Sequence, residues 1–151
     1  MTEGITSVGQ SSGGGGAPPD AGVASRLVEA ARRAREQAYV PYSHFPVGAA
    51  VLAADGTIFA APNVENASYG LTICAERAAI FKAVSEGRRD LVAIAVVADT
   101  SGPPRPCGAC RQVMDEFNPA MTVIMASLGG QVETLPLGEM LARPFRLEGQ
   151  V

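Results

Sequence analysis

"LVAIAVVA", Leu91 to Ala98, is a run of eight apolar residues with no polar interruption. A strand with one wet face alternates apolar and polar residues, and this run does not. Its length suits a strand, and its uniformity predicts one covered on both faces by helices. The rest of the chain is consistent with that reading. Upstream, "VGAAVLAADGTIFAAPNV" (47–64) reads as a hairpin, two apolar runs around the turn signal Asp55-Gly56. Further upstream, "ASRLVEAARRAREQAY" (24–39) places Leu27, Val28, Ala31 and Ala34 or Ala38 at helical spacing, with Pro41 just beyond. A second helix is expected to open in "TICAERAAIF" (72–81) and to end near Gly87. Downstream come a short helix in "CGACRQVMDEF" (107–117), a strand in "MTVIMASL" (121–128), a Gly-Gly turn, a weaker strand in "QVETLPL" (131–137), and a final short helix in "LGEML" (137–141). The order α-β-β-α-β-α-β-β-α predicts an α/β fold: a three-layer α/β/α sandwich around a mixed, roughly five-stranded central sheet.

Residues 1–22, with "SSGGGGAPPD", are rich in Gly, Ser and Pro and are expected to form a disordered tail, leaving 23–151 as one domain. Hydrophobic residues make up 47% of the chain, yet Trp is absent and aromatics are only 5%, so the core must be mostly aliphatic. A net charge of -3 argues against general affinity for nucleic-acid backbone; Arg32, Arg33 and Arg35 read as an exposed helix face. No apolar window is long enough to span a membrane, and the first residues lack the pattern of a secretory signal. A cytoplasmic, reducing location is the expectation. Three cysteines cannot all pair within one chain, which weakens a disulfide framework.

The chemistry concentrates at two expected helix starts. Cys74, Glu76 and Arg77 stand at one, and Cys107 and Cys110, after Pro106, at the other. Helix propensity does not call for a thiol at either place. A helix N-terminus favours negative charge and lowers a thiol pKa. Three thiolates brought together would suit Zn²⁺ and leave its fourth tetrahedral position open, as catalytic sites do. A redox pair, half of a zinc ribbon, or a buried hydrophobe in the case of Cys74 would each fit one part of the pattern. A closed structural zinc module would need a fourth ligand, for which His44 is the obvious histidine. Arg77 and Arg111 each lie within three residues of a candidate ligand and could offset thiolate charge.

Cys74-Ala75-Glu76 followed by Pro106-Cys107-Gly108-Ala109-Cys110 resembles the zinc-deaminase signature in its all-cysteine form. Together with "PYSHFPVGAAV", "NVENASYG" and "CAERAAIFKAVSEG", the chain is similar to the short, homotetrameric cytidine deaminases from about Arg26 to Phe145. The resemblance implies one zinc ion per subunit on Cys74, Cys107 and Cys110, with Glu76 as a proton shuttle and Arg77 bonded to the ligand thiolates. It also implies that Asn63 and Glu65 bind sugar hydroxyls, that Phe45 packs on the pyrimidine, and that the Ala75 N–H meets the base carbonyl. Tyr42 and Phe145 match regions that meet a neighbouring subunit's pocket, although "LARPF" departs from the commoner ending. The implied reaction is hydrolytic deamination of cytidine and 2′-deoxycytidine in pyrimidine salvage. A nucleoside antibiotic is the nearest alternative substrate, and a nucleic-acid editor is less consistent with the acidic composition.

Overall fold

The structure is a computed structural model that describes residues 17–147. Its elements run α1 (Ala21–Arg35), β1 (Val47–Ala53), β2 (Ile58–Pro62), α2 (Ala75–Ser85), β3 (Leu91–Ala98), α3 (Gly108–Phe117), β4 (Thr122–Ser127) and β5 (Val132–Pro136). The five strands form one mixed sheet in the order β2-β1-β3-β4-β5. α1 packs on one face, with Leu27 and Ala31 meeting Ala50, Leu52, Ala93, Ala95 and Val97. α2 and α3 pack on the other, where Ala79, Ile80, Ala83 and Met114 join Val51, Ile94, Val123 and Met125. Uniformly apolar β3 is therefore the middle of a three-layer sandwich, and its residues from Ala93 to Ala98 are all buried.

Two details differ from the sequence expectation. Asp20 caps α1, its Oδ1 accepting from Val23 N–H at 2.9 Å, so the helix begins at Ala21 inside the stretch expected to be tail. An Asp N-cap supplies the start signal that Gly/Pro composition masks. Residues 1–16 of that expected tail lie outside the described residues. The final "short helix" is a single 3₁₀ turn, Leu137–Glu139, stopped before it can propagate.

The close approach of α1 to the sheet depends on Gly48. A Cβ there would lie 1.9 Å from the Ala31 carbonyl oxygen and 2.6 Å from Arg35 N, so only glycine fits beneath the helix. On the opposite face the topology positions chemistry. β1 runs antiparallel to both β2 and β3, so β2 and β3 are parallel to one another, and β3 is parallel to β4. α2 links β2 to β3 and α3 links β3 to β4, each crossing in the same direction along the sheet. Crossovers of one hand then place both helices on one face, with both N-termini at the same strand ends. This brings Cys74 next to Cys107 although 33 residues separate them.

Candidate active site

Cys74 is the N-cap of α2 and Cys107 the N-cap of α3, and neither makes a side-chain capping bond. Cys110 is the third residue of α3, so the Cys-x-x-Cys spacing puts both thiols on the mouth of one helix. The sulfurs of Cys74 and Cys107 lie 3.9 Å apart, those of Cys107 and Cys110 3.4 Å apart, and all three within 4.8 Å of one another. The trio grades from exposed Cys107 through half-buried Cys74 to buried Cys110.

Charge at the cluster is shared. A hydrogen bond from the Cys110 thiol, aided by Arg77 and Cys107 against the cost of burial, brings the Cys74 thiol down to about 5. The neighbouring Cys74 sulfur, together with burial, pushes the Cys110 thiol well up. Arg77 Nη2 lies 3.6 Å from Cys74 Sγ and 3.5 Å from the Thr72 carbonyl oxygen. Arg111 turns away: its Nε donates to the Pro106 carbonyl and its Nη1 to the Met140 carbonyl, at 2.8 and 2.7 Å. Its sequence proximity to Cys110 does not make it a partner of the thiols.

Soft sulfur donors converging with a guanidinium on one of them fit a zinc ion. Among the described residues no further His, Cys, Asp or Glu joins the group, so a zinc ion held by these three thiols would take its remaining ligand from outside the cluster. His44 is not a member; it sits on the 40–46 loop with φ 54° and donates its backbone N–H to the Val40 carbonyl.

Glu76 is the second residue of α2 and is only 5% exposed. Burial raises its pKa, and the negative Cys74 beside it adds to the effect. A carboxyl tuned upward this way exchanges protons nearer neutral pH. It lines a cavity of about 210 Å³ together with Phe45, Val47, Asn63, Cys74, Ala75 and Cys107. Glu65 lies in the adjoining cleft with Tyr42, Ser43 and Tyr69, and Thr72 borders both spaces.

A family model described as the cytidine and deoxycytidylate deaminase zinc-binding region matches residues 22–126. The chain belongs to that family. Cytidine deaminase of Halalkalibacterium halodurans is 58% identical over 123 residues, covering 81% of this chain and 93% of its own. Cytidine deaminase of Sporosarcina psychrophila is 55% identical over 124 residues, 82% of this chain and 91% of its own. The crystal structure of cytidine deaminase from Burkholderia pseudomallei superposes with a TM-score of 0.78 at 51% identity, covering 80% of this chain and 98% of that one. The deaminase frame, a hydrolase by class, thus comes with the zinc-binding region and a cysteine cluster able to hold the ion.

Within this deaminase, the other residues singled out from sequence fall into three settings. Asn63 follows β2, and its side chain is already engaged: Oδ1 accepts from Val47 N–H at 2.9 Å and Nδ2 donates to the Phe45 carbonyl at 3.0 Å. Glu65 Oε2 accepts the backbone N–H groups of Tyr42 and Ser43 at 2.9 and 3.2 Å, and bonding to Ser43 holds its pKa low. Phe145 does not anchor the C-terminal segment in its own chain, since its side is 70% exposed. Its backbone is nonetheless fixed, because the Gln112 amide donates to the Phe145 carbonyl at 2.7 Å and accepts its N–H at 3.1 Å. Next to it, Arg146 forms a fork with buried Asp115, both bonds 2.9 Å. Sequence reasoning missed Gln112, Asp115 and Arg146, and also the lining residues Val96, Pro104 and Arg105. A charged residue on α3 at a core-facing position was the one available signal, for Asp115.

Proposed function

We propose that this deaminase converts cytidine and 2′-deoxycytidine to uridine and 2′-deoxyuridine with release of ammonia, as an enzyme of pyrimidine salvage in the cytoplasm. The observation that carries the reading is a buried Glu76, its pKa raised by burial, beside three convergent thiols on the lining of a mostly apolar cavity. Cys74, Cys107 and Cys110 are the zinc ligands. Held there, zinc supplies Lewis-acid activation of a water, lowering its pKa toward about 7. Glu76 takes one proton from the attacking water and delivers it to ring N3, then takes the second from the new C4 hydroxyl and passes it to the amine as the C4–N bond breaks. The water oxygen becomes the C4 carbonyl and the amine departs as ammonia. Arg77 moderates the charge of Cys74, and the Ala75 N–H, in the first turn of α2, donates to the base carbonyl.

Sugar recognition falls to Asn63, Glu65 and Phe45. Asn63 fixes the loop that presents Phe45 to the ring, and its remaining N–H and lone pair are available to a hydroxyl. Glu65 uses Oε2 to shape the 42–43 loop, which leaves Oε1 as an anionic acceptor.

The same reading includes a homotetramer with pockets completed by neighbouring chains. Tyr42, Tyr69, Leu71 and Phe145 are 44%, 75%, 71% and 70% exposed, an apolar set near the cavity mouth and C-terminal segment with no cover in one chain. Tyr42 and Tyr69 meet edge-on at 5.8 Å. Among the described residues no helix is long and apolar enough to cross a membrane. The test is ultraviolet detection of cytidine loss by zinc-loaded protein, with free cytosine and CMP as controls and light scattering for the assembly. Turnover of cytidine and deoxycytidine well above both controls is expected. Equal use of free cytosine would remove the nucleoside assignment.

A further inference from the structure

The segment joining β3 to α3, residues 99–107, walls the cavity through Pro104, Arg105 and Cys107. Pro103, Pro104 and Pro106 give it no N–H at those positions, so it has little backbone capacity to bond to its neighbours. Thr100 Oγ1 donates to the Gly102 carbonyl at 2.6 Å, which is a bond inside the segment. The Pro106 carbonyl is held by Arg111 from α3 itself. Among the described residues, the bond tying the 99–105 stretch to another element is Arg105 Nη2 to Glu133 Oε2, at 2.8 Å. Glu133 belongs to β5, the edge strand, and does not line the cavity.

We infer that Arg105 and Glu133 are a positioning pair, in which Glu133 holds the proline-rich segment against the sheet edge and so sets where Pro104 and Arg105 stand as the substrate-pocket wall. The inference rests on the nucleoside reading above. It assigns a role in substrate binding to a residue outside the pocket, and it leaves the proton chemistry to Glu76. Both partners are substantially exposed, with side-chain exposures of 54% and 34%, so the tie is a modest one and sensitive to salt.

The experiment is steady-state kinetics on cytidine with zinc-loaded wild type, Arg105→Ala, Glu133→Ala, Glu133→Gln and the double alanine variant, at low and high ionic strength. Each alanine change should raise KM roughly two- to fivefold, the range an exposed ion pair supports, with kcat nearly unchanged. The double variant should match the singles, because both remove one interaction. Glu133→Gln keeps an acceptor and should recover part of the loss. Wild-type KM should rise with salt, and the alanine variants should lose that dependence. If Arg105→Ala raises KM while Glu133→Ala is silent, Arg105 touches substrate on its own and the pair is overturned. Unchanged KM in both single variants overturns it as well. Wild type inactive on cytidine overturns the nucleoside reading, and this inference with it.

Discussion

The two faces of the sheet solve different problems with the same apolar strands. Beneath α1 the sheet offers Gly48, Ala50, Ala93 and Ala95, small residues that let a helix backbone settle almost onto the strands. Among the described residues, no ionisable group is buried in that layer. On the α2/α3 face the packing is bulkier, with Met114, Met121, Met125 and Phe59, and it ends at two uncapped helix mouths carrying thiols and Glu76. One face is committed to close packing. The other gives up capping and buries two carboxyls, Glu76 beside the thiols and Asp115 where Arg146 pairs with it.

Substitutions on either face should therefore fail differently. The largest effect belongs to Cys107→Ala, which removes one of three sulfur donors. Metal analysis should show zinc content falling to near nothing and activity disappearing with it; retained stoichiometric zinc would show that another donor completes the set. Glu76→Gln should keep zinc bound while slowing kcat by about 10²–10⁴-fold, the usual contribution of a positioned acid–base group. Near-normal turnover in that variant would sink the proton-transfer assignment.

Gly48→Ala tests the other face. The added methyl meets the Ala31 carbonyl at 1.9 Å, so α1 must move, and overpacking of this kind costs about 1–3 kcal/mol. Denaturant unfolding should show the loss, while kcat of the folded, zinc-loaded fraction stays near wild type. A large fall in kcat at full folding would mean that the two faces are not separable.

The smallest effect is expected at Asp55, in the β1–β2 turn. Its carboxylate is held at about 2 by bonding to Thr57 and then by Arg88, whose Nε lies 2.7 Å away. A depressed pKa contributes stability above the unfolded value of about 4, and that contribution is lost as pH falls from there toward about 2. Asp55→Asn should lower Tm only slightly at neutral pH and flatten the acid limb between those values. Because the pair is exposed, an unchanged zinc content and kcat complete the expectation.

Sequence legibility followed the distance over which each feature is encoded. The strand Leu91–Ala98, the Asp55-Gly56 hairpin and both thiol-bearing helix starts are written in contiguous residues, and pattern alone places them. The convergence of Cys74 with Cys107 was legible only through family resemblance, because it depends on two crossovers of the same hand. Arg111 shows the limit of proximity along the chain, since its guanidinium goes to Pro106 and Met140 carbonyls instead of the thiols. Arg146 on Asp115, Gln112 on Phe145 and Arg105 on Glu133 join residues 28 to 33 positions apart. No local pattern announces such partners. Asn63 illustrates a subtler gap: the motif marks it for a sugar, while the fold also uses both ends of its amide to hold the 45–47 loop.

The cysteine N-caps also bear on how the chain opens. α2 and α3 each begin at a residue that makes no capping bond, so their first amides have no side-chain partner at the cap. Regions with the weakest local closure exchange their amide hydrogens first. In metal-free protein, the opening turns of these two helices should exchange ahead of the middle of α1, whose start Asp20 secures and whose Leu27 and Ala31 are fully buried. Adding zinc should slow exchange at both openings together, at residues 75–77 and 108–110, as one event. Ligand capture and helix nucleation would then be a single cooperative unit, spread over two segments that the chain itself keeps far apart.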